Sequence, residues 1–323
     1  MYVLELAGDH DEFAAFEAQT KASAVSMLAP GLASARGITD EVRQLAFTHR
    51  ASELIGRSEP TVEDARAVLE AANLDRTGTV AVRAVDVRGT TGVDTQAVER
   101  ELGDVLVGRE FEVDLDDPDH ELRALFSADE RTQVCTLGWL AAETERGFSR
   151  RKPGERPFFQ PGGMDPMLAR ALVNMASATA GSTILDPMCG TGGILLEAGL
   201  VGAQVVGLDA QRKMVQGTRE NLDAFLTGGW EVVRGDASAL PLADDSVDGV
   251  VFDTPYGRQS KITGELDELV TETLSEARRV APRCVVVGDR PWEVQATEAG
   301  WTVEATFERR VHRSLDRYIL VLV

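Results

Sequence analysis

The stretch STILDPMCGTGGILLEAGL, Ser182 to Leu200, decides the fold. Ser182 to Leu185 reads as a short buried strand, Asp186 to Gly193 as a loop, and Ile194 to Leu200 as a helix. Gly190 and Gly192 permit a tight turn and let backbone come close to a ligand. A dinucleotide fingerprint would put a third glycine where Leu195 stands, so a pyrophosphate-binding loop is disfavoured.

The same strand–loop–helix rhythm continues outward. Asp165-Pro166 reads as an N-cap and a first helical proline leading into a helix from Met167 to Ala178. Downstream, Gln204 to Leu208 is expected as a strand, Arg212 to Thr227 as a helix and Trp230 to Val233 as a strand. Val247 to Phe252 (strand), Gly264 to Val280 (helix) and Cys284 to Val287 (strand) come next. Thr302 to Glu308 and Arg317 to Val323 form a closing antiparallel pair. Alternating β and α segments predict a parallel, doubly wound sheet, in which ligands bind beyond the carboxyl ends of the strands.

The residues just past each strand are therefore informative. Asp209, about 20 residues after the glycine loop, suits a carboxylate that accepts from ribose hydroxyls. Gly235-Asp236-Ala237 is a short acidic turn suited to an adenine amino group. Each acid alone reads as a cap or as solvated surface. Asp186, Asp209 and Asp236 at three successive strand ends describe a pocket for an adenosine without phosphates, and S-adenosylmethionine fits it. After the fourth strand comes FDTPYGRQS, Phe252 to Ser260. Proline cannot donate to a ladder, so the strand ends near Pro255 and leaves Asp253 beside the pocket. An exocyclic base amine is a poor nucleophile because its lone pair is delocalised into the ring. A carboxylate at Asp253 and a nearby backbone carbonyl can accept its two N–H bonds and return the pair to nitrogen. Tyr256 offers a ring face to a flipped-out base.

The N-terminal half mixes elements: strands at Tyr2–Leu6, Thr79–Val87, Phe111–Leu115 and Thr132–Leu140, and helices at Asp11–Ala29, Thr61–Ala72 and Thr95–Val107. A seam rich in Gly, Pro and Arg, Arg146 to Pro157, separates the halves. Arg150, Arg151, Lys152 and Arg156 are its candidates for backbone-phosphate contacts. The expected division is 1–148, a basic linker at 149–160, and 161–323. The formal net charge is −20, and the lysines are only Lys21, Lys152, Lys213 and Lys261. An acidic, lysine-poor surface fits a salty cytoplasm, where screening within about 3 Å stops it from repelling a polyanion. Three scattered cysteines are too few for a disulfide framework or a zinc site. No apolar run reaches membrane-spanning length and the N-terminus lacks signal-peptide features, so a cytoplasmic protein with no bound metal is expected.

In these motifs the second half resembles class I S-adenosylmethionine-dependent amino-methyltransferases of the Asn/Asp-Pro-Pro-Tyr type. More narrowly, the chain resembles the archaeal tRNA guanosine-10 N2-methyltransferases, which carry an N-terminal THUMP module for tRNA. The matching pieces are RPFFQPGGMDPMLARALVNMA, LDPMCGTGGILLEAG, GLDAQRKMVQGTRENL, GDAS with LPL, DTPYGR and HRSLDRYI, with looser matches such as QLAFTHRASELIG and VAVRAVDV in the first half.

The resemblance implies an N-terminal α+β THUMP-containing region and a C-terminal Rossmann-like doubly wound sheet. It puts Asp186, Gly190, Thr191 and Gly192 around the methionine part of S-adenosylmethionine, Asp209 at the ribose, and Asp236 and Ala237 at the adenine. Asp253, Thr254, Pro255 and Tyr256 fall at the target guanine. Thr254 stands where the family has proline, which removes the fixed φ and is expected to leave the turn less rigid. The partners implied are tRNA and, in some relatives, a small zinc-binding activator subunit. Two further readings stay open: a DNA or rRNA base-amino methyltransferase, and a non-catalytic RNA-binding protein whose methyltransferase fold has decayed. The tRNA-type first half opposes one, and the intact strand-end acids oppose the other.

Overall fold

The computed structural model describes residues 1–255, 263–312 and 315–323, and divides the chain into two compact units, Met1–Glu145 and Arg146–Val323. In the first unit, β1 (Tyr2–Leu6) leads to helix α1 (Asp11–Ala18), the short strands β2 (Ala22–Ser23), β3 (Ser26–Ala29), β4 (Leu32–Ala35) and β5 (Gly37–Ile38), and the long β6 (Thr48–Ser58). Then come α2 (Val62–Ala71), β7 (Thr79–Asp86), α3 (Thr95–Val107), β8 (Glu112–Val113), β9 (His120–Ala128) and β10 (Gln133–Glu143). The main sheet runs β3-β4-β1-β6-β10-β9-β7-β8. Helices α2 and α3 bury Ala65, Leu69, Val98, Leu102 and Leu106 against Val80, Leu122, Phe126 and Trp139. Both helices are capped from the sequence: Thr61 accepts from the Asp64 N–H, and Asp94 from Gln96 and Ala97.

The expected helix Asp11–Ala29 ends at Ala18, and its second half is sheet. The Pro30-Gly31 turn, with Gly31 at φ +75°, folds β3 back on β4, and a glycine takes that conformation without penalty. Strands β6 and β9 have no counterpart in the sequence reading. Register shifts interrupt β6 against both neighbours, and β9 is buried on both faces, so neither alternates cleanly.

The second unit begins with α4 (Pro166–Met175), where the Asp165 carboxylate caps the N–H groups of Met167 and Leu168. It continues through β11 (Thr183–Asp186), α5 (Gly193–Leu200), β12 (Gln204–Asp209), α6 (Arg212–Phe225), β13 (Trp230–Arg234) and β14 (Gly249–Asp253). α7 (Thr263–Val280), β15 (Cys284–Gly288), α8 (Glu293–Glu298), β16 (Val303–His312) and β17 (Leu315–Leu322) complete it. Among the described residues the sheet order is β13-β12-β11-β14-β15-β17-β16. The first five strands are parallel, while β17 runs antiparallel between β15 and β16. Chain order reverses between β11 and β14, the switch point at which such sheets open a crevice. The core there is apolar on both faces, with Val250, Phe252, Val286 and Trp292 fully buried under α7.

The cysteines are buried and unpaired: Cys135 on β10, Cys189 in the loop after β11, and Cys284 on β15. Burial pushes the Cys135 thiol up to about 12 and raises Cys284 further. No described helix is long and apolar enough to cross a membrane.

Candidate active site

Two adjoining cavities open at the carboxyl ends of the parallel strands. One, about 210 Å³, is lined by Gln160 to Met164, Asp186, Cys189, Thr191, Gly193, Ile194 and Thr254. The other, about 300 Å³, is lined by Pro187, Asp209, Ala210, Gln211, Gly235, Asp236, Ala237, Pro255 and Leu269. Met188, Gly190, Met214 and Asp253 wall both. The structure thus gathers Asp186, Gly190, Thr191, Asp209, Asp236, Ala237, Asp253, Thr254 and Pro255 about one crevice. Tyr256 lies outside the described residues.

The loop after β11 is held from several sides. Gly190 donates its N–H to Asp209 Oδ2 at 3.0 Å, and Gln211 N–H reaches Asp209 Oδ1 at 2.8 Å. Asp209 therefore ties the end of β12 to the glycine loop, and its remaining lone pairs can still accept from a ribose. Thr218 and Asn221, both fully buried on α6, take the loop's outward carbonyls: Thr218 Oγ1 donates to Gly190 O at 2.7 Å, and Asn221 Nδ2 to Thr191 O at 2.9 Å. Asn221 also clasps Phe158 through its backbone N–H and carbonyl, at 2.8 and 2.9 Å. That anchors the segment running into Gln160–Met164. Gly192, at φ +77°, abuts Thr218, whose Cγ2 would lie 2.6 Å from an added Cβ.

The sequence reading assigned no role to Gln160–Met164, Thr218 or Asn221. The Gly162-Gly163 pair was a signal for the first, but Asn221 acts across the fold and left no local pattern.

The acids differ in environment. Asp186 is buried and accepts the Met188 N–H at 3.0 Å. Burial, and then the charges of Asp253 and Asp209, raise it well above the ordinary carboxylate range. Asp236 is exposed, and the Ser238 hydroxyl and N–H lower it. Asp253 Oδ2 lies 3.4 Å from Arg317 Nη2. Thr254 is buried and donates its N–H to Val287 O at 2.8 Å, which extends the β14–β15 ladder by one bond. Its hydroxyl turns inward to Gly288, where an added Cβ would lie 3.0 Å from Thr254 Oγ1 and 2.2 Å from Trp292 Nε1. The turn expected to be loose for want of proline is thus held by a hydrogen bond that proline could not make.

The basic seam divides into two kinds of residue. Arg150 and Lys152 are exposed. Arg151 is paired bidentately with the fully buried Glu197 at 2.7 and 3.2 Å, and Arg170 joins the same carboxylate at 2.8 Å. Arg156 is 4% exposed, and its Nε donates to Arg151 O.

The pocket carries acids at the ends of β11, β12, β13 and β14 and, among the described residues, no lining cluster of phosphate-binding cations. That suits a cationic adenosine derivative. The strand-end acids and the glycine loop offer donors and acceptors of the kind S-adenosylmethionine needs.

Comparison with known proteins gives consistent results. Residues 153–319 match the family described as RMKL-like, methyltransferase domain. The chain is 36% identical over 288 residues to the tRNA (guanine(10)-N2)-dimethyltransferase of Methanothermobacter thermautotrophicus, covering 87% of this chain and 83% of that one. It is 30% identical over 308 residues to the protein of that name from Methanocaldococcus jannaschii, covering 88% and 84%. Among solved structures, TrmN from Thermus thermophilus aligns over 99% of this chain and 98% of its own at 22% identity, with a TM-score of 0.51.

Proposed function

The chain belongs to the archaeal tRNA (guanine-10 N2)-methyltransferase family, is a methyltransferase acting on guanine N2 in tRNA, and, we propose, methylates guanosine 10 once or twice through Asp253 and the Thr254 carbonyl. The observation that carries this is the position of Asp253, which borders both the cavity of Asp209 and Asp236 and the cavity of Asp186 and the glycine loop.

S-adenosylmethionine held there supplies a methyl group on a sulfonium. Asp253 and the Thr254 carbonyl accept the two N–H bonds of guanine N2 and localise its lone pair. That pair would take the methyl carbon as the sulfonium leaves as a neutral thioether, and the Asp253 carboxylate would pass the amine proton to solvent. Positioning and preorganised charge do most of the work. Tyr256, by its place in the motif, offers a stacking face to the base.

The first unit is read as the THUMP-containing tRNA-binding region because the relatives match across both halves of the chain. Exposed Arg150 and Lys152 are its neighbours in sequence and carry the phosphate-contact role; Arg151 and Arg156 are engaged within the fold. A tRNA substrate implies a cytoplasmic enzyme. The net charge of −20 supports assay near molar salt.

The test incubates the protein with labelled S-adenosylmethionine and two tRNA transcripts, one with G10 and one with A10, before nucleoside digestion. N2-methylated guanosine from the first alone is the expected result. Label in another nucleoside, or in A10 transcript, overturns the target. No label, with or without a small zinc-binding activator protein, favours the non-catalytic reading.

A further inference from the structure

The antiparallel β17 begins at the same edge of the sheet where the parallel strands end. Its Gly288–Tyr318 pair is the last with β15, and Arg317 is the next residue outward. Asp253 pairs with Val287 on the far side of β15. Arg317 therefore reaches over the end of β15 toward Asp253. Its side chain is 6% exposed, and a guanidinium that cannot lose its proton is costly to bury without a carboxylate beside it. Arg309, its partner across the hairpin, adds a second cation on the same face. From the other side Asp253 faces the buried Asp186, whose carboxyl the Asp253 charge helps to raise, with Asp209 behind.

We propose that Arg317 is a positioning residue for methyl transfer: it pairs with Asp253 at Oδ2, keeps the carboxylate anionic and helps orient it toward the attacking amine. This rests on the proposed role of Asp253. Without the Arg317 cation, two carboxylates sharing a cavity would push each other toward protonation. The closing hairpin then does more than cover an edge, because its reversed direction places a cation at the catalytic end of the sheet.

The test compares wild type with Arg317→Met and Arg317→Lys in single-turnover methylation of G10 transcript, together with S-adenosylhomocysteine titration and the pH dependence of the rate. Arg317→Met should slow transfer on the order of 10²-fold with the affinity for S-adenosylhomocysteine nearly unchanged. Its acid limb should move to higher pH, and Arg317→Lys should recover much of both. A slowed rate with an unmoved acid limb, or loss of S-adenosylhomocysteine binding in proportion to rate, makes Arg317 a structural residue and overturns the proposal. If Arg317→Met does not fold, Arg317→Lys decides alone: wild-type pH dependence supports the role, and a shifted limb with no rate effect removes it. Wild type that forms no N2-methylguanosine would overturn the parent reading instead, and is separable because it precedes any variant.

Discussion

Among the neighbours of Asp253 are Arg317, which pairs with it, and the buried carboxyl of Asp186. Asp253→Ala should leave S-adenosylhomocysteine affinity intact while lowering turnover by about 10²–10⁴-fold, the range for a positioned acid or base. Calorimetry and single-turnover rates on one preparation check both halves, and full activity would remove Asp253 from the mechanism. Asp186 makes a separate prediction. Its folded-state value is raised, so the folded protein holds that proton more tightly than the unfolded chain. Its contribution to stability is therefore greatest below the ordinary carboxylate value of about 3.9 and declines as pH climbs toward the raised one. The ligand-free protein should show that decline in Tm against pH, and Asp186→Asn should flatten it. At this scale the sequence was generous. The acids after the strands were legible because strand order alone sends them to one edge. The conformation of Thr254 was not, since only the bond to Val287 O shows what replaces the missing ring.

Elements of the second unit were legible nearly to their ends, because parallel strands covered on both faces leave unbroken apolar runs between turn signals. The first unit was harder. The bulged β6 and the doubly buried β9 lack the period of two that marks a strand, and the helix expected to Ala29 gave way to a Pro-Gly hairpin. Helix α8 was also missed, being a short run of mixed polarity. The attachment of the Phe148–Arg151 segment to α5 was invisible in sequence for another reason: it depends on three residues far apart in the chain. Glu197, on α5, is fully buried between Arg151 and Arg170. Glu197→Gln should cost about 3–5 kcal/mol, since it removes the carboxylate shared by two largely buried guanidinium groups. Urea unfolding would measure it. Because the pair is buried, the loss should persist in molar salt, where surface pairs are screened.

For the whole molecule the question is how a chain of net charge −20 holds a polyanion. Salt reduces the repulsion, but it equally weakens each phosphate interaction, so a few of them should dominate. Replacing Arg150 and Lys152 together by alanine should weaken tRNA binding and reduce the slope of log K against log salt by about 0.7–0.9 for each phosphate that is no longer neutralised. An unchanged slope, read by fluorescence anisotropy over a salt series, would show that the seam touches no phosphate.

The buried cysteines give the molecule a property of another kind. Thiolate is the reactive form, and burial suppresses it at all three positions, so the native chain should be inert to maleimides and disulfide reagents. Any labelling then times an opening event. Cys135 clocks the first unit, Cys284 the strand bordering β14, and Cys189 the wall of the crevice itself. A chain with no tag or engineered probe thus carries three internal clocks, and cofactor should slow the one at Cys189 first.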